Sequence, residues 1–281
     1  MYNKNDLTIV INTFNSDEKI YSCLDSINQD YKILIIENSK NIKFKENIEK
    51  KYSNVVCELT GENLGYAKGN NLGLSKVKSS FALVLNPDTL MKKKSIDNFF
   101  NTALKYDDFA IIAPAVQEKK DFKISEKNNN VFEVESVKGF AMFLNLDKFK
   151  DVGFFDDNFF IYFEEIDLCR RLKQLNKKIY LDSSIKIDHM GGSSHNQSID
   201  FEMELSRNWH WMWSTFYYHK KYSGFFYAVI KISSKFFSAL TKVLFYSILL
   251  NNNKKKIYFQ RLSGLFNSIT GKKSWYRPNV S

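Results

Sequence analysis

Over the first 200 positions, short apolar runs alternate with stretches of helical period. Strand-like runs occupy residues 7–12, 33–36, 55–59, 81–85, 109–113, 140–144 and 179–181. Apolar residues recur at three- and four-residue intervals over 17–28, 43–52, 67–76, 95–104 and 164–175. Strand alternating with helix at this spacing predicts strands joined by crossover helices, hence an open α/β fold with a mostly parallel, Rossmann-like sheet flanked by helices. In such sheets ligands bind beyond the carboxyl ends of the strands, so the residues just after each strand are the ones to read for chemistry.

The pattern changes near residue 200. Within 225–250 the polar positions Lys231, Ser234, Lys235, Ser238, Thr241 and Lys242 recur at helical spacing and leave a wide apolar face. A spanning helix would not carry that stripe, and the longest apolar run is too short to cross a bilayer, whereas an interfacial helix with its lysines toward headgroups fits. The same pattern also fits a helix packed on the rest of the protein. Lys254, Lys255 and Lys256 follow, each adding about 1 kcal/mol of attraction near an acidic lipid surface.

Charge sharpens the division. Residues 201–281 hold 13 Lys and Arg against 2 acids, a net of +11, while residues 1–200 hold 28 against 29, a net of −1. All four tryptophans, Trp209, Trp211, Trp213 and Trp275, lie in the basic part. We therefore expect a first domain at 1–200 and a basic, aromatic, helical region at 201–281. Basic charge with aromatics suits an anionic membrane surface; no nucleic-acid recognition motif accompanies it, so nucleic acid is not an expected partner. At 281 residues and 44% hydrophobic content the chain can bury a substantial core. Its three cysteines, Cys23, Cys57 and Cys169, form no C-x-x-C pair, which points to a reducing compartment and gives no zinc signature. The first residues lack the features of a secretory signal. The expected location is cytoplasmic, peripheral on the inner face of the cell membrane.

The densest chemistry lies in 153–171, where Asp156, Asp157, Glu164, Glu165 and Asp167 place five carboxylates within twelve residues of a strongly aromatic segment. Carboxylates beside aromatic bodies in a partly dry site have raised pKa values and can accept a proton from a substrate hydroxyl. Glu164, Glu165 and Asp167 also fall in a first helical turn, where they would complement the helix dipole without any catalytic part.

The loops after the strands add a second set. Asn12-Thr13-Phe14-Asn15-Ser16 follows the first strand and Glu37-Asn38-Ser39 the second, and no Gly-rich dinucleotide or triphosphate loop occurs. Between Gly61 and Gly73, Asn63, Gly65, Lys68 and Asn71 stand where a helix entry could meet ribose or phosphate. After the fourth strand comes Asn86-Pro87-Asp88, a carboxylate on a rigid turn that suits Mg²⁺ or Mn²⁺. His189, in Asp188-His189-Met190-Gly191-Gly192, is a second candidate ligand, although a lone His is more often structural.

Taken in order, T-F-N (13–15), E-N-S (37–39), E-N-L-G-Y-A-K-G-N-N-L-G (62–73), L-N-P-D-T (85–89), the acidic segment 153–171 and D-H (188–189) resemble the family-2 inverting glycosyltransferases, particularly the rhamnosyltransferase-like branch. The similarity spans residues 7–195. It implies a glycosyltransferase-A fold, a nucleoside-diphosphate sugar donor such as dTDP-rhamnose or a UDP-sugar, and a divalent Mg²⁺ or Mn²⁺. It also implies a glycan or lipid-linked acceptor in cell-surface polysaccharide synthesis, such as O-antigen or capsule.

Carried over by position, Thr13 and Glu37 would lie against base and ribose, with Asn15, Asn63, Gly65, Lys68, Asn71 and Asn86 completing the nucleotide-sugar set. Asp88 and His189 would hold the metal. The second acid of the family's Glu-Asp pair is the general base; here that position is Glu165, with Glu164 as the other candidate and Asp167 in the same turn. Glu stands where Asp is commoner at Glu37 as well. Two rival classes are a sugar nucleotidyltransferase, which should show a Gly-rich triphosphate loop after the first strand, and a non-catalytic nucleotide-sugar-binding protein on the membrane, which would have lost Asp88 or Glu165.

Overall fold

The computed structural model describes residues 3–16, 19–115, 130–189 and 196–279. In chain order its elements are β1 (Leu7–Thr13), α1 (Ile20–Asp25), β2 (Lys32–Glu37), α2 (Ile42–Lys51), β3 (Val55–Leu59), α3 (Gly65–Lys76), β4 (Phe81–Leu85), β5 (Thr89–Met91) and α4 (Ser95–Lys105). They continue with β6 (Phe109–Pro114), β7 (Val131–Glu133), β8 (Ala141–Asn145), α5 (Glu164–Gln174), β9 (Lys178–Asp182), β10 (Ile187–His189), α6 (Asp200–Ser223), α7 (Phe225–Ile248) and α8 (Asn252–Ile269). The chain divides into two compact units: one of residues 1–64, 69–155 and 168–196, the other of 65–68, 156–167 and 197–281.

The first unit is built on an eight-stranded sheet in the order β3-β2-β1-β4-β8-β6-β9-β7. β1 pairs in parallel with β2 and β4, β2 with β3, and β6 with β9. β8 runs antiparallel to both β4 and β6, and β7 antiparallel to β9. Most pairings are therefore parallel, as the alternation predicts, but the insertion of β8 is not foreseen by it. A parallel strand needs a crossover of a dozen or more residues, usually helical, and no helix precedes β8 among the described residues after α4. Because β2 and β3 extend to one side of β1 and β4 to the other, the strand order reverses at β1 and β4. Loops leaving the carboxyl ends of these two strands thus flank the switch point.

Side chains fix this arrangement. Leu7, Ile9 and Ile11 alternate along β1 and are fully buried, as the two-residue strand period requires. On β8, Phe143 stacks between Phe81 and Phe99 with centroids 5.2 Å from each, and Phe109 lies 5.8 Å away. Truncating such a buried ring to Ala costs about 3–5 kcal/mol. The three cysteines are buried, and none of them is in a disulfide. Burial pushes the Cys23 and Cys57 thiols up to about 12, so neither is a nucleophile near neutral pH.

The second unit is helical. Leu205, Trp209, Met212, Trp213 and Phe216 form the buried stripe of α6 at helical spacing. The helix expected at 225–250 is α7, and its apolar residues divide between two faces. Ala228, Ile232 and Ala239 are buried, while Phe226, Ile230, Phe237, Leu244 and Ile248 are exposed. Lys235 and Lys242 lie over the Trp211 and Tyr258 rings at 5.1 and 4.8 Å. One face of the helix packs and another is open. No helix among the described residues is long and apolar enough to cross a membrane.

Candidate functional site

In the sheet unit the parallel register of β1 and β2 sets Thr13 beside Glu37. Thr13 Oγ1 donates to Glu37 Oε2 at 2.5 Å, and the backbone N–H of Asn15 reaches Glu37 Oε1 at 3.4 Å. Thr13 and Glu37 are both buried, so the carboxylate is a fixed acceptor at the strand ends rather than a solvated charge. Next to it, Asn38 Nδ2 donates to Asn12 Oδ1 at 2.6 Å, and Asn38 Oδ1 accepts from the Leu64 N–H at 3.3 Å. Gly69 is required here, because a Cβ at that position would collide with the Asn12 side chain. Asn71 exchanges two bonds with the Phe155 backbone, at 2.9 Å to its carbonyl and 3.0 Å from its N–H. Asn63 is half-buried in the loop before α3.

The Asn86-Pro87-Asp88 turn leaves the end of β4 at the switch point. Asn86 is half-buried; its N–H donates to the Phe140 carbonyl at 2.8 Å, and its own carbonyl accepts from Thr89 Oγ1 at 2.7 Å. β5 pairs antiparallel with β10 in the register Thr89↔His189, which brings His189 Nε2 to 3.4 Å from Asp88 Oδ1. The imidazole stacks on Phe140 with centroids 4.6 Å apart and planes 9° from parallel. Asp88 is 2% exposed, and its Oδ1 takes no hydrogen bond among the described residues. A buried carboxylate oxygen left without a donor and aimed at an imidazole nitrogen is a donor set that a divalent cation fits. Among the described residues no group of three or more His, Cys, Asp or Glu could hold a metal, so Asp88 and His189 form a partial donor set there. The neighbouring Asp188 is engaged elsewhere, in an ion pair with Lys92.

The helical unit carries the acidic turn. Asp156 and Asp167 are both tied down: Lys221 Nζ lies 2.8 Å from Asp156 Oδ2 and 2.5 Å from Asp167 Oδ1, Tyr217 OH donates to Asp156, and Tyr222 OH donates to Asp167 at 2.8 Å. Asp167 has no exposed surface. Glu164 and Glu165 stand apart from this network. Glu164 is 5% exposed with no hydrogen bond to Oε2, and burial, followed by the neighbouring Glu165 charge, holds its carboxyl well above the usual range. Burial also raises the half-buried Glu165, with the first-turn amides of Glu165 and Ile166 acting against the shift. Burial, followed by the charges of Glu164 and Glu165, raises the pKa of the Tyr66 hydroxyl.

The turn is held under strain. Tyr162 and Phe163, directly before Glu164, both take left-handed backbone with φ of 73° and 72°. Non-glycine residues there cost of order 1–3 kcal/mol each. α6 secures them: Ser214 Oγ donates to the Ile161 carbonyl at 2.9 Å, and Trp211 packs against both rings, at 5.4 and 5.7 Å. Gly65, at φ 80°, leaves no space for a Cβ against Phe160, whose carbonyl accepts from the Tyr66 N–H at 2.7 Å. Lys68, one turn into α3, is exposed.

Of the residues predicted from the sequence, the structure brings Thr13, Asn15 and Glu37 to one place and Asp88 and His189 to another. Sequence reasoning does not foresee Lys221, Tyr222, Tyr66 or the aromatic support from α6. The spacing of Leu205, Trp209, Met212, Trp213 and Phe216 is the signal that would have revealed that helix.

Residues 8–171, more than half of the chain, match the family described as Glycosyl transferase family 2. The chain is 25% identical over 219 residues to the low-salt glycan biosynthesis hexosyltransferase Agl10 of Haloferax volcanii, covering 69% of this chain and 68% of that protein. It is 25% identical over 247 residues to the rhamnosyltransferase WbbL of Escherichia coli K12, covering 75% and 91%. Among solved structures, the mannosyltransferase PcManGT of Pyrobaculum calidifontis, in complex with GDP-Man and Mn²⁺, superposes with a TM-score of 0.56 at 8% identity over 95% of this chain and 88% of that one, a likeness of fold.

Proposed function

We propose that this chain, which belongs to glycosyl transferase family 2, transfers a sugar from a nucleoside-diphosphate sugar to a hydroxyl of a glycan or lipid-linked acceptor, with inversion at the anomeric carbon. The observation that carries this reading is the Glu164–Glu165 pair: two carboxylates whose pKa values are raised by burial, outside the ion-pair network that occupies their acidic neighbours. Such a group accepts a proton from an alcohol without being neutralised by a lysine.

In this mechanism Glu165, the more accessible of the two, takes the proton of the acceptor hydroxyl as the oxygen attacks the anomeric carbon and the bond to the diphosphate breaks. Glu164 keeps the pair's shared charge high in energy. Thr13 and Glu37 orient the base and ribose. Lys68 offers a cation to the diphosphate. Asp88 and His189 would hold Mg²⁺ or Mn²⁺, which when bound neutralises charge on the departing diphosphate. The names of the relatives, a hexosyltransferase of glycan biosynthesis and a rhamnosyltransferase, favour a hexose or deoxyhexose donor and a role in glycan assembly; we propose dTDP-rhamnose or a UDP-sugar as the donor and a surface polysaccharide as the product.

The test is a panel of nucleotide sugars incubated with the protein, Mn²⁺ and lipid-linked or soluble glycan acceptors, reading both nucleoside diphosphate release and acceptor mass. Acceptor mass rising by one sugar with one donor supports the reading. Donor binding with no turnover on any acceptor would leave a binding protein instead.

A further inference from the structure

The helical unit presents an apolar stripe that nothing among the described residues covers. Phe226, Ile230, Phe237, Leu244 and Ile248 recur along α7 at four- and seven-residue intervals, which aligns them on one side of the helix. All five are exposed, Phe226 and Ile248 at 81%. The helix packs through Ala228, Ile232 and Ala239 on its other side, so the outer stripe is not needed for the fold. Beyond Ile248 the chain turns through Leu249 and Leu250, and Leu250 is 83% exposed at φ 52°. A water-facing turn normally puts Gly or Asn at a left-handed position; here a large apolar side chain stands at the tip. Lys254, Lys255 and Lys256 follow at once, all exposed.

Charge identifies the occupant. α7 carries three lysines, α8 three lysines and one arginine, and neither helix contains an Asp or Glu. A second copy meeting this face through its own would bring only like charge to the contact. An anionic bilayer supplies an apolar interior for the stripe and phosphates for the lysines. We infer that the outer face of α7, with the Leu249–Leu250 tip and Lys254–Lys256, is a docking surface for an anionic phospholipid bilayer. α7 lies along the interface, and the lysine run rests among the headgroups. This rests on the helical unit alone and is independent of the transferase reading.

The test is flotation of the full chain with vesicles of phosphatidylcholine alone or mixed with phosphatidylglycerol. Two variants are compared with the unmodified protein: Phe226→Ser with Phe237→Ser and Ile248→Ser, and Lys254→Ala with Lys255→Ala and Lys256→Ala. All six positions are exposed, so both variants should keep the unmodified circular dichroism and melting temperature. The expected result is flotation with the mixed vesicles, weakened by salt, and lowered on the order of a hundredfold by the lysine variant. The apolar variant should also lose it. Failure of the unmodified chain to float with mixed vesicles overturns the inference, as does flotation indifferent to either variant. A dimer in sedimentation that the apolar variant converts to monomer, without flotation, would assign the face to a second copy.

Discussion

Lys221 on α6 reaches the fully buried Asp167 on α5, with 2.5 Å between ammonium nitrogen and carboxylate oxygen, and spans on to Asp156 at 2.8 Å. One cation thus closes both ends of the segment that carries Glu164 and Glu165. Lys221→Met should take the lysine charge away from the buried Asp167 and destabilise the protein by about 2–3 kcal/mol, less than a fully buried pair because the lysine is partly exposed. The midpoint of urea unfolding measures this, and an unchanged midpoint would show that the pair is not structural.

Glu165→Gln keeps shape and removes the proton acceptor. Turnover should fall about 10²–10⁴-fold, the usual contribution of a general base, with donor affinity retained. Glu164→Gln should cost less, because that residue is more deeply enclosed. The reverse order in nucleoside diphosphate release would move the base to Glu164.

The raised glutamates also make a pH prediction. Their folded pKa values exceed the unfolded ones, so the native state binds more protons between the two, and stability falls as pH rises through that window. Glu164→Gln removes this penalty. The melting temperature of the variant relative to the unmodified chain should therefore climb as pH is raised from the ordinary carboxylate range, and a flat difference would contradict the burial of an ionisable Glu164. The activity of the unmodified protein should have an acid limb above the ordinary carboxylate pKa.

Asp88→Asn should separate binding from folding. Since Asp88 Oδ1 accepts no hydrogen bond among the described residues, neutralising it should alter stability by under about 1 kcal/mol. Thermal stabilisation by UDP or dTDP with Mn²⁺ should nevertheless vanish, as it should in His189→Ala. Stabilisation that survives in Asp88→Asn would place the ion elsewhere.

Much of the sheet is legible in the sequence because strands such as Phe81–Leu85 are continuous apolar runs, buried throughout. Glu164 and Glu165 are legible as acids at a helix start. Their separation from Asp156 and Asp167 is not, since it depends on Lys221, 54 residues beyond Asp167 along the chain. The Asp88–His189 pairing escapes local reading for a similar reason: β5 and β10 have three residues each, too few to show alternation, and only their long-range register joins the two side chains. β8 is legible as a strand, but its antiparallel direction is decided by connections that periodicity does not record.

The left-handed pair Tyr162 and Phe163 bears on where this chain can be cut. Residues 8–171 invite a shortened protein ending soon after β10, yet Trp211, Ser214 and Lys221, which hold the turn in its costly conformation, all lie on α6. Released from them, the backbone before Glu164 would relax toward ordinary helix and carry both carboxylates with it. A truncation before α6 would remove the contacts that fix the backbone in front of Glu164 and Glu165.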